Sequence, residues 1–150
     1  MAVPVVVVFA IALSGCVTYR IQGGPDKVDL SVRKERFTTE VPPLVEKSDR
    51  AVKQLEFVAD KEAVARRFST VSSVLVCVGS GFLAAGAIFA AEENWGSSVA
   101  MNATAVSFDI AALVVSIIGS GRAPTDLEYM GVLRDYNQDF PDSPFEYRVE

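Results

Sequence analysis

FSTVSSVLVCVGSGFLAAGAIFAA, residues 68–91, runs for twenty-four positions without a charged side chain. About 20 apolar residues suffice to carry a helix across a bilayer. From residue 71 onward this stretch holds nine Val, Leu, Ile and Phe residues, interspersed with Gly79, Gly81, Gly86 and several Ala and Ser. Small residues let helix backbones approach closely in lipid, where packing replaces the hydrophobic effect as the driving force. Gly79, Gly81 and Gly86 are therefore the expected helix-packing positions. A second stretch, residues 94–121, carries Asp109 as its one charge, and the intervening Glu92-Glu93-Asn94-Trp95-Gly96 supplies a turn with an aromatic ring suited to a membrane interface. The pattern predicts an apolar helical hairpin in a mainly α protein.

Asp109 is the candidate intramembrane polar site. An Asp at a helix centre costs about 2.5 to 3.5 kcal/mol by insertion scales, and each neighbouring Leu, Ile or Val contributes only about −0.3 to −0.6. The six such residues at positions 110–118 barely offset it. An acid so placed serves ion transfer or helix pairing by default; the preferred expectation is the bland role, in which Asp109 lies toward an interface or bonds to Ser, Thr or Asn of the other helix. The two segments also contain similar octets, VLVCVGSG at 74–81 and VVSIIGSG at 114–121, which composition alone accounts for.

Toward the N-terminus, Leu44, Ala51, Val52, Leu55, Val58, Ala59, Ala65 and Phe68 fall near one helical face, and no Gly or Pro lies between Leu44 and Val78. A long amphipathic helix continuing into the apolar hairpin is predicted, one rod over about 44–90, roughly 70 Å at 1.5 Å per residue. Before it, Val28, Leu30 and Val32 alternate with polar residues, a short strand near 28–32. Residues 18–26, with Gly23-Gly24-Pro25, read as a flexible tether with a turn. Beyond the hairpin, Pro124-Thr125-Asp126-Leu127-Glu128 fits a capping box that opens a short C-terminal helix. Leu127, Met130, Leu133 and Tyr136 or Phe140 are expected along its apolar face, with an extended or disordered tail after Pro144.

Composition narrows the chemistry. Residues 17–70 hold eleven bases against nine acids, 71–121 three acids and no base, and 122–150 three bases against seven acids. No segment has the dense basic surface that a phosphate backbone needs, so no nucleic-acid partner is expected. There is no histidine, which removes the commonest general base and metal ligand together. The two cysteines, Cys16 and Cys77, make no disulfide framework. Ser80 and Ser120 lie in Gly-Ser-Gly, outside the nucleophile-elbow pattern. No catalysis, metal or cofactor is expected.

At the extreme N-terminus an apolar core of twelve residues, 2–13, is too short to span and suits the h-region of an export signal. Leu13-Ser14-Gly15-Cys16 follows directly, and resembles the lipobox of bacterial lipoproteins: Leu, a small residue, Gly or Ala, then Cys. The resemblance covers about sixteen residues. It implies cleavage after Gly15, with Leu13, Ser14 and Gly15 forming the cleavage motif, and acylation of Cys16, which would bind membrane lipid. The leader departs from the family in having no Lys or Arg near Met1. Val17, where that family's inner-membrane retention signal has Asp, implies the outer membrane. A Gly-rich hairpin behind a lipidated cysteine also resembles the glycine-zipper two-helix outer-membrane lipoproteins, whose dense GxxxG repeats this chain lacks.

The expected organisation is thus a cleaved signal peptide (1–15), a lipidated tether (16–43), a helical stalk and membrane hairpin (44–122), and an acidic C-terminal helix and tail (123–150). One conflict accompanies it. If Cys16 is exported and both segments span, the acidic turn at 92–102 lies in the cytoplasm and Lys61, Arg66, Arg67 and Arg122 outside, the reverse of the positive-inside rule. Three resolutions are open: a false lipobox with cytoplasmic soluble parts, a hairpin in the outer membrane facing the periplasm, or a hairpin packed on protein. The second agrees with Cys16 and Val17 without further assumption. The expected function is a lipid-anchored cell-envelope protein with a structural or assembly role, holding an envelope protein partner or associating with itself. The alternative is an oligomeric pore or transport component using the Gly-rich hairpin and Asp109.

Overall fold

The computed structural model describes residues 17–150. The chain is mainly α, with a small antiparallel sheet: β1 (Thr18–Gly23), β2 (Val28–Arg33), a 3-10 turn (Lys34–Arg36), α1 (Phe37–Glu40), α2 (Pro42–Val45), α3 (Asp49–Ala91), α4 (Trp95–Arg122), α5 (Asp126–Asp139) and β3 (Phe145–Val149). It divides into two compact units. One runs to Ala59 and resumes at Thr125–Glu150; the other is Asp60–Pro124.

The first unit is a sheet of order β2-β1-β3. β1 pairs β2 with Tyr19 opposite Val32 and Ile21 opposite Leu30, and pairs β3 with Ile21 opposite Tyr147. Residues 18–26, expected as a tether, are therefore the central strand and its turn. Period two explains the strand: Tyr19 and Ile21 are buried while Arg20 is exposed. Gly23 and Gly24 take φ of 95° and 72°, and a Cβ on Gly23 would lie 2.7 Å from the Pro144 carbonyl oxygen. Glycine alone accepts both the backbone conformation and the crowding.

Side chains of this unit close around one aromatic core. Tyr19, Phe37 and Tyr129 pack mutually with ring centroids 5.1 to 5.6 Å apart, Phe37 edge-to-face against both tyrosines, and Tyr136 meets Phe145 at 4.8 Å. Val32, Val41, Val45, Ala51, Leu55 and Val58 complete it. On α5 the buried positions are Tyr129, Val132, Leu133 and Tyr136, an i, i+3, i+4, i+7 stripe. The expected face is corrected accordingly: Leu133 and Tyr136 are inside, but Leu127 is 79% exposed. Tyr129 takes the inward position, its ring meeting those of Tyr19 and Phe37.

Local chemistry fixes the ends of these elements. Ser48 caps α3, its Oγ accepting the Ala51 N–H at 3.1 Å and donating to Asp139 at 2.7 Å. The cap separates α2 from α3, so the predicted rod begins at Asp49 rather than near residue 44. The capping box of α5 is present in full, with the Thr125 side chain accepting from the Glu128 N–H and the Thr125 N–H donating to Glu128. Asn137 holds the tail as a strand: its Oδ1 accepts the Phe145 N–H at 2.7 Å and its Nδ2 donates to the Phe145 carbonyl at 2.8 Å.

Candidate functional site

The second unit is the apolar hairpin, and its seam is built from small residues seven apart. Ser72, Gly79 and Gly86 are the buried positions of α3 in this unit that face α4. Ser98, Ala105, Ala112 and Gly119 are those of α4. A seven-residue period keeps one stripe on the partner helix. Contacts fix an antiparallel register. Ser72 Oγ donates to the Ala112 carbonyl at 3.0 Å, a Cβ placed on Gly79 would lie 3.3 Å from the Ala105 carbonyl oxygen, and one on Gly119 would lie 2.6 Å from Phe68 Cβ.

Asp109 and Asn102 lie beside this seam, one heptad apart. Asp109 Oδ1 sits 2.9 Å from where a Gly79 Cβ would be, and Asn102 Oδ1 sits 2.6 Å from where a Gly86 Cβ would be. Each polar side chain occupies the space that a glycine on the other helix vacates. The half-buried Asp109 thus lies beside the helix–helix seam, against α3 at Gly79. Among the three glycines expected to pack helices, Gly79 and Gly86 face α4, whereas a side chain on Gly81 would meet open space. Two residues along a helix turn the side chain through about 200°, which carries position 81 away from the seam. The two similar octets obey one rule: Gly79 and Gly119 lie in the seam, Gly81 and Gly121 in open space.

The opposite edge of the seam is aromatic and apolar. Phe82 stacks on Phe108 with centroids 5.5 Å apart and 11° between planes, and the Arg122 guanidinium lies 5.4 Å from the Phe68 ring centroid. The outer surface carries the large side chains: Val74, Ile88, Val99, Ile110, Leu113 and Ile117 are each more than half exposed. Polar hydroxyls are satisfied within their own helices. Ser73, Ser80, Thr104 and Ser107 each donate to the carbonyl four residues back at 2.9 to 3.0 Å, and Ser120 donates to the Ile117 carbonyl. These bonds remove the need for water at the hydroxyl donor. Cys77 is free and exposed on the same surface.

The hairpin is polarised along its length. At its closed end the chain reverses through Glu92, Glu93 (φ 58°) and Asn94, whose side chain accepts the Ser97 N–H at 3.3 Å, and Trp95 is 66% exposed. At its open end stand Lys61, Arg66, Arg67 and Arg122, with Arg66 paired to Glu62 at 3.3 Å. Residues 68–91 between these ends measure about 36 Å as a helix, close to the hydrocarbon thickness of roughly 30 Å with a modest tilt.

In the first unit a polar clamp ties α5 to the sheet. Asp126 accepts from Tyr19 Oη at 2.7 Å and from Lys34 Nζ at 2.8 Å, and Lys34 Nζ lies 5.3 Å from the Tyr129 ring centroid. The Lys34 hydrogen bond, followed by that from Tyr19, holds the Asp126 carboxyl below the usual carboxylate range. A carboxylate so stabilised is a poor proton acceptor, so the clamp serves to dock α5 on the sheet. The cleft beside Val28, Leu44, Tyr136 and Phe145 encloses about 60 Å³, far below a cofactor site. Among the described residues no three Cys, Asp or Glu side chains converge as a metal site. The lipobox residues Leu13, Ser14, Gly15 and Cys16 lie outside the described residues. Comparison with protein-family models, curated proteins and solved structures gives no match to this chain.

Proposed function

We propose that this chain is a cell-envelope membrane protein of structural or assembly role, in which the hairpin crosses a bilayer and the small α/β unit is the module displayed to partners. One observation carries the reading: the hairpin packs Gly, Ala and Ser inward and turns Val, Ile and Leu outward. In water that arrangement forfeits the burial of its largest apolar groups, each worth about 1.5 to 3 kcal/mol. In lipid it is the expected one, because tails solvate the large side chains and small residues let the backbones pack. Both helices are long and apolar enough to cross a membrane.

A hairpin of two spans returns the chain to the side it left, so both segments of the α/β unit lie on one face of the membrane. The lipobox motif adds the second part of the reading, an acyl anchor on Cys16 and an outer-membrane location facing the periplasm. In that case the spacer is short. The Val17 carbonyl already accepts the Lys34 N–H at 3.0 Å and β1 opens at Thr18, so a lipid on Cys16 attaches within about 3.5 Å of chain from the folded unit. Asp109, seated over Gly79, is assigned to helix pairing in preference to conduction.

The test uses full-length protein and a Cys16→Ser variant. Flotation with membranes after alkaline wash, for both proteins, is expected from the hairpin alone; recovery in the soluble fraction would refute the membrane reading. Intact mass is expected to show loss of residues 1–15 and added acyl mass in the parent only. An unacylated full-length mass would remove the lipoprotein part and leave the hairpin part standing.

A further inference from the structure

We propose that the open end of the hairpin holds the phosphate of an anionic phospholipid between Arg67 and Arg122, with an acyl chain lying along the aromatic edge. The inference rests on the membrane reading above and adds a specific lipid class to it.

The two arginines stand at the open end of the hairpin, where the uncharged stretches of α3 and α4 meet their basic flanks. Arg122 is fixed against the Phe68 ring, and Arg67 is the preceding residue on α3. At about 100° per residue, Arg67 lies toward the back of α3, on the Phe68 side of the seam, and Arg66 lies on the other side, so Arg67 needs its full side-chain length to share a headgroup with Arg122. Arg66 is occupied by Glu62. Arg67 and Arg122 are exposed and make no ion pair among the described residues. They stand where the uncharged stretch begins on α3 and ends on α4, at headgroup depth for a spanning hairpin. Guanidinium forks match phosphate oxygens in a bidentate manner, so two at one level suit a phosphodiester.

Below them the same edge is apolar. Phe68, Leu75 and Phe82 of α3 and Phe108 and Val115 of α4 are half-buried there, an apolar edge that runs from the arginine end into the uncharged region. A phosphate joined to an acyl chain fits both parts; a free phosphate fits one. The opposite end of the hairpin carries Glu92 and Glu93 and repels the same headgroup, which confines the preference to one leaflet.

Full-length protein in phosphatidylcholine vesicles, doped with spin-labelled phosphatidylglycerol or spin-labelled phosphatidylcholine, gives the relative association of the two lipids from the motionally restricted signal. A preference for phosphatidylglycerol of roughly fivefold per engaged guanidinium is expected. Arg67→Gln and Arg122→Gln should each lose that factor, Arg67→Lys and Arg122→Lys should lose most of it, and Arg66→Gln should keep it. Helical content by circular dichroism guards against unfolding. Equal association of both lipids in correctly inserted protein, or equal losses from Arg66→Gln and Arg67→Gln, would overturn the site and leave the spanning hairpin intact. Failure of the parent protein to co-float with the vesicles would overturn both.

Discussion

In the α/β unit Phe37 and Tyr136 are 1% exposed and Arg20 and Asp29 meet in the open, 3.1 Å apart. In the hairpin Ala105 is 0% exposed and Ile117 is 61% exposed. One region sorts residues by polarity and the other by size. Sorting by polarity follows from water, which drives apolar area inward. Sorting by size follows where the surroundings are as apolar as the side chains, so that only contact distance between backbones remains to be gained. On the proposed membrane reading the two regions face two solvents, and the same substitution should have opposite consequences in them.

The largest effect is expected from Phe37→Ala, which removes a ring wedged between Tyr19 and Tyr129 and should cost about 3 to 5 kcal/mol in denaturant unfolding of the α/β unit. Ile110→Ala should leave the stability of the hairpin in detergent nearly unchanged; an equal loss there would break the contrast. Next comes Ile117→Lys on the outer surface. It exchanges a favourable residue for a charge that costs less than the about 2.5 to 3.5 kcal/mol of a helix centre, because Ile117 lies five residues from the end of α4 where a lysine can snorkel, and should still lower membrane insertion measured by glycosylation mapping. Unimpaired insertion would speak against lipid as the solvent. Gly79→Leu should cost about 1 to 3 kcal/mol by forcing the helices apart and displacing Asp109, whereas Gly81→Leu, into open space, should change little. Interhelical disulfide trapping between engineered cysteines reads that pair directly.

The smallest effect concerns pH. Asp126 has a depressed folded pKa, so its contribution is fully present above the unfolded value of about 3.9 and is lost as pH falls through the folded value. Because its side chain is 45% exposed, solvent screening limits the gain to about 1 kcal/mol or less. Asp126→Asn should therefore destabilise the α/β unit at neutral pH and converge on the parent in acid. A gap that persists below pH about 2 would mean that the carboxylate charge is not what the clamp uses.

What the sequence discloses differs between the regions for the same reason. The hairpin was legible from absence of charge over 68–91, and the α5 start from Thr125 and Glu128, because both signals are local. The seam was less legible: Ser72, Gly79, Gly86 and Ser98, Ala105, Ala112, Gly119 are visible as a seven-residue recurrence of small side chains, but a search keyed to glycine alone picks Gly81 and passes over the serines and alanines. The central strand escaped notice because Gly23-Gly24-Pro25 dominates its neighbourhood and its partner β3 is more than a hundred residues away. Its alternation of Tyr19 and Ile21 with Arg20 and Gln22 is too brief to compete with turn chemistry until that partner is present. Asp126 was visible only as part of a cap, since its partners Tyr19 and Lys34 are brought to it by the sheet.

The pairing of β1 with β3 also sets an order of events during synthesis. Tyr19 to Val149 is the longest-range registration in the sheet, and everything between them, including both uncharged helices, leaves the ribosome before it can form. At about 5 to 20 residues per second, β1 waits several seconds with one edge unpaired while the hairpin is already available to a membrane. The α/β unit is thus completed last, after the hairpin, and a chain that stops before Phe145 would retain the uncharged helices yet leave β1 with an open strand edge and Tyr136 without its Phe145 partner. Such edges recruit other strands, so incomplete copies of this protein should be prone to associate through the segment nearest Cys16.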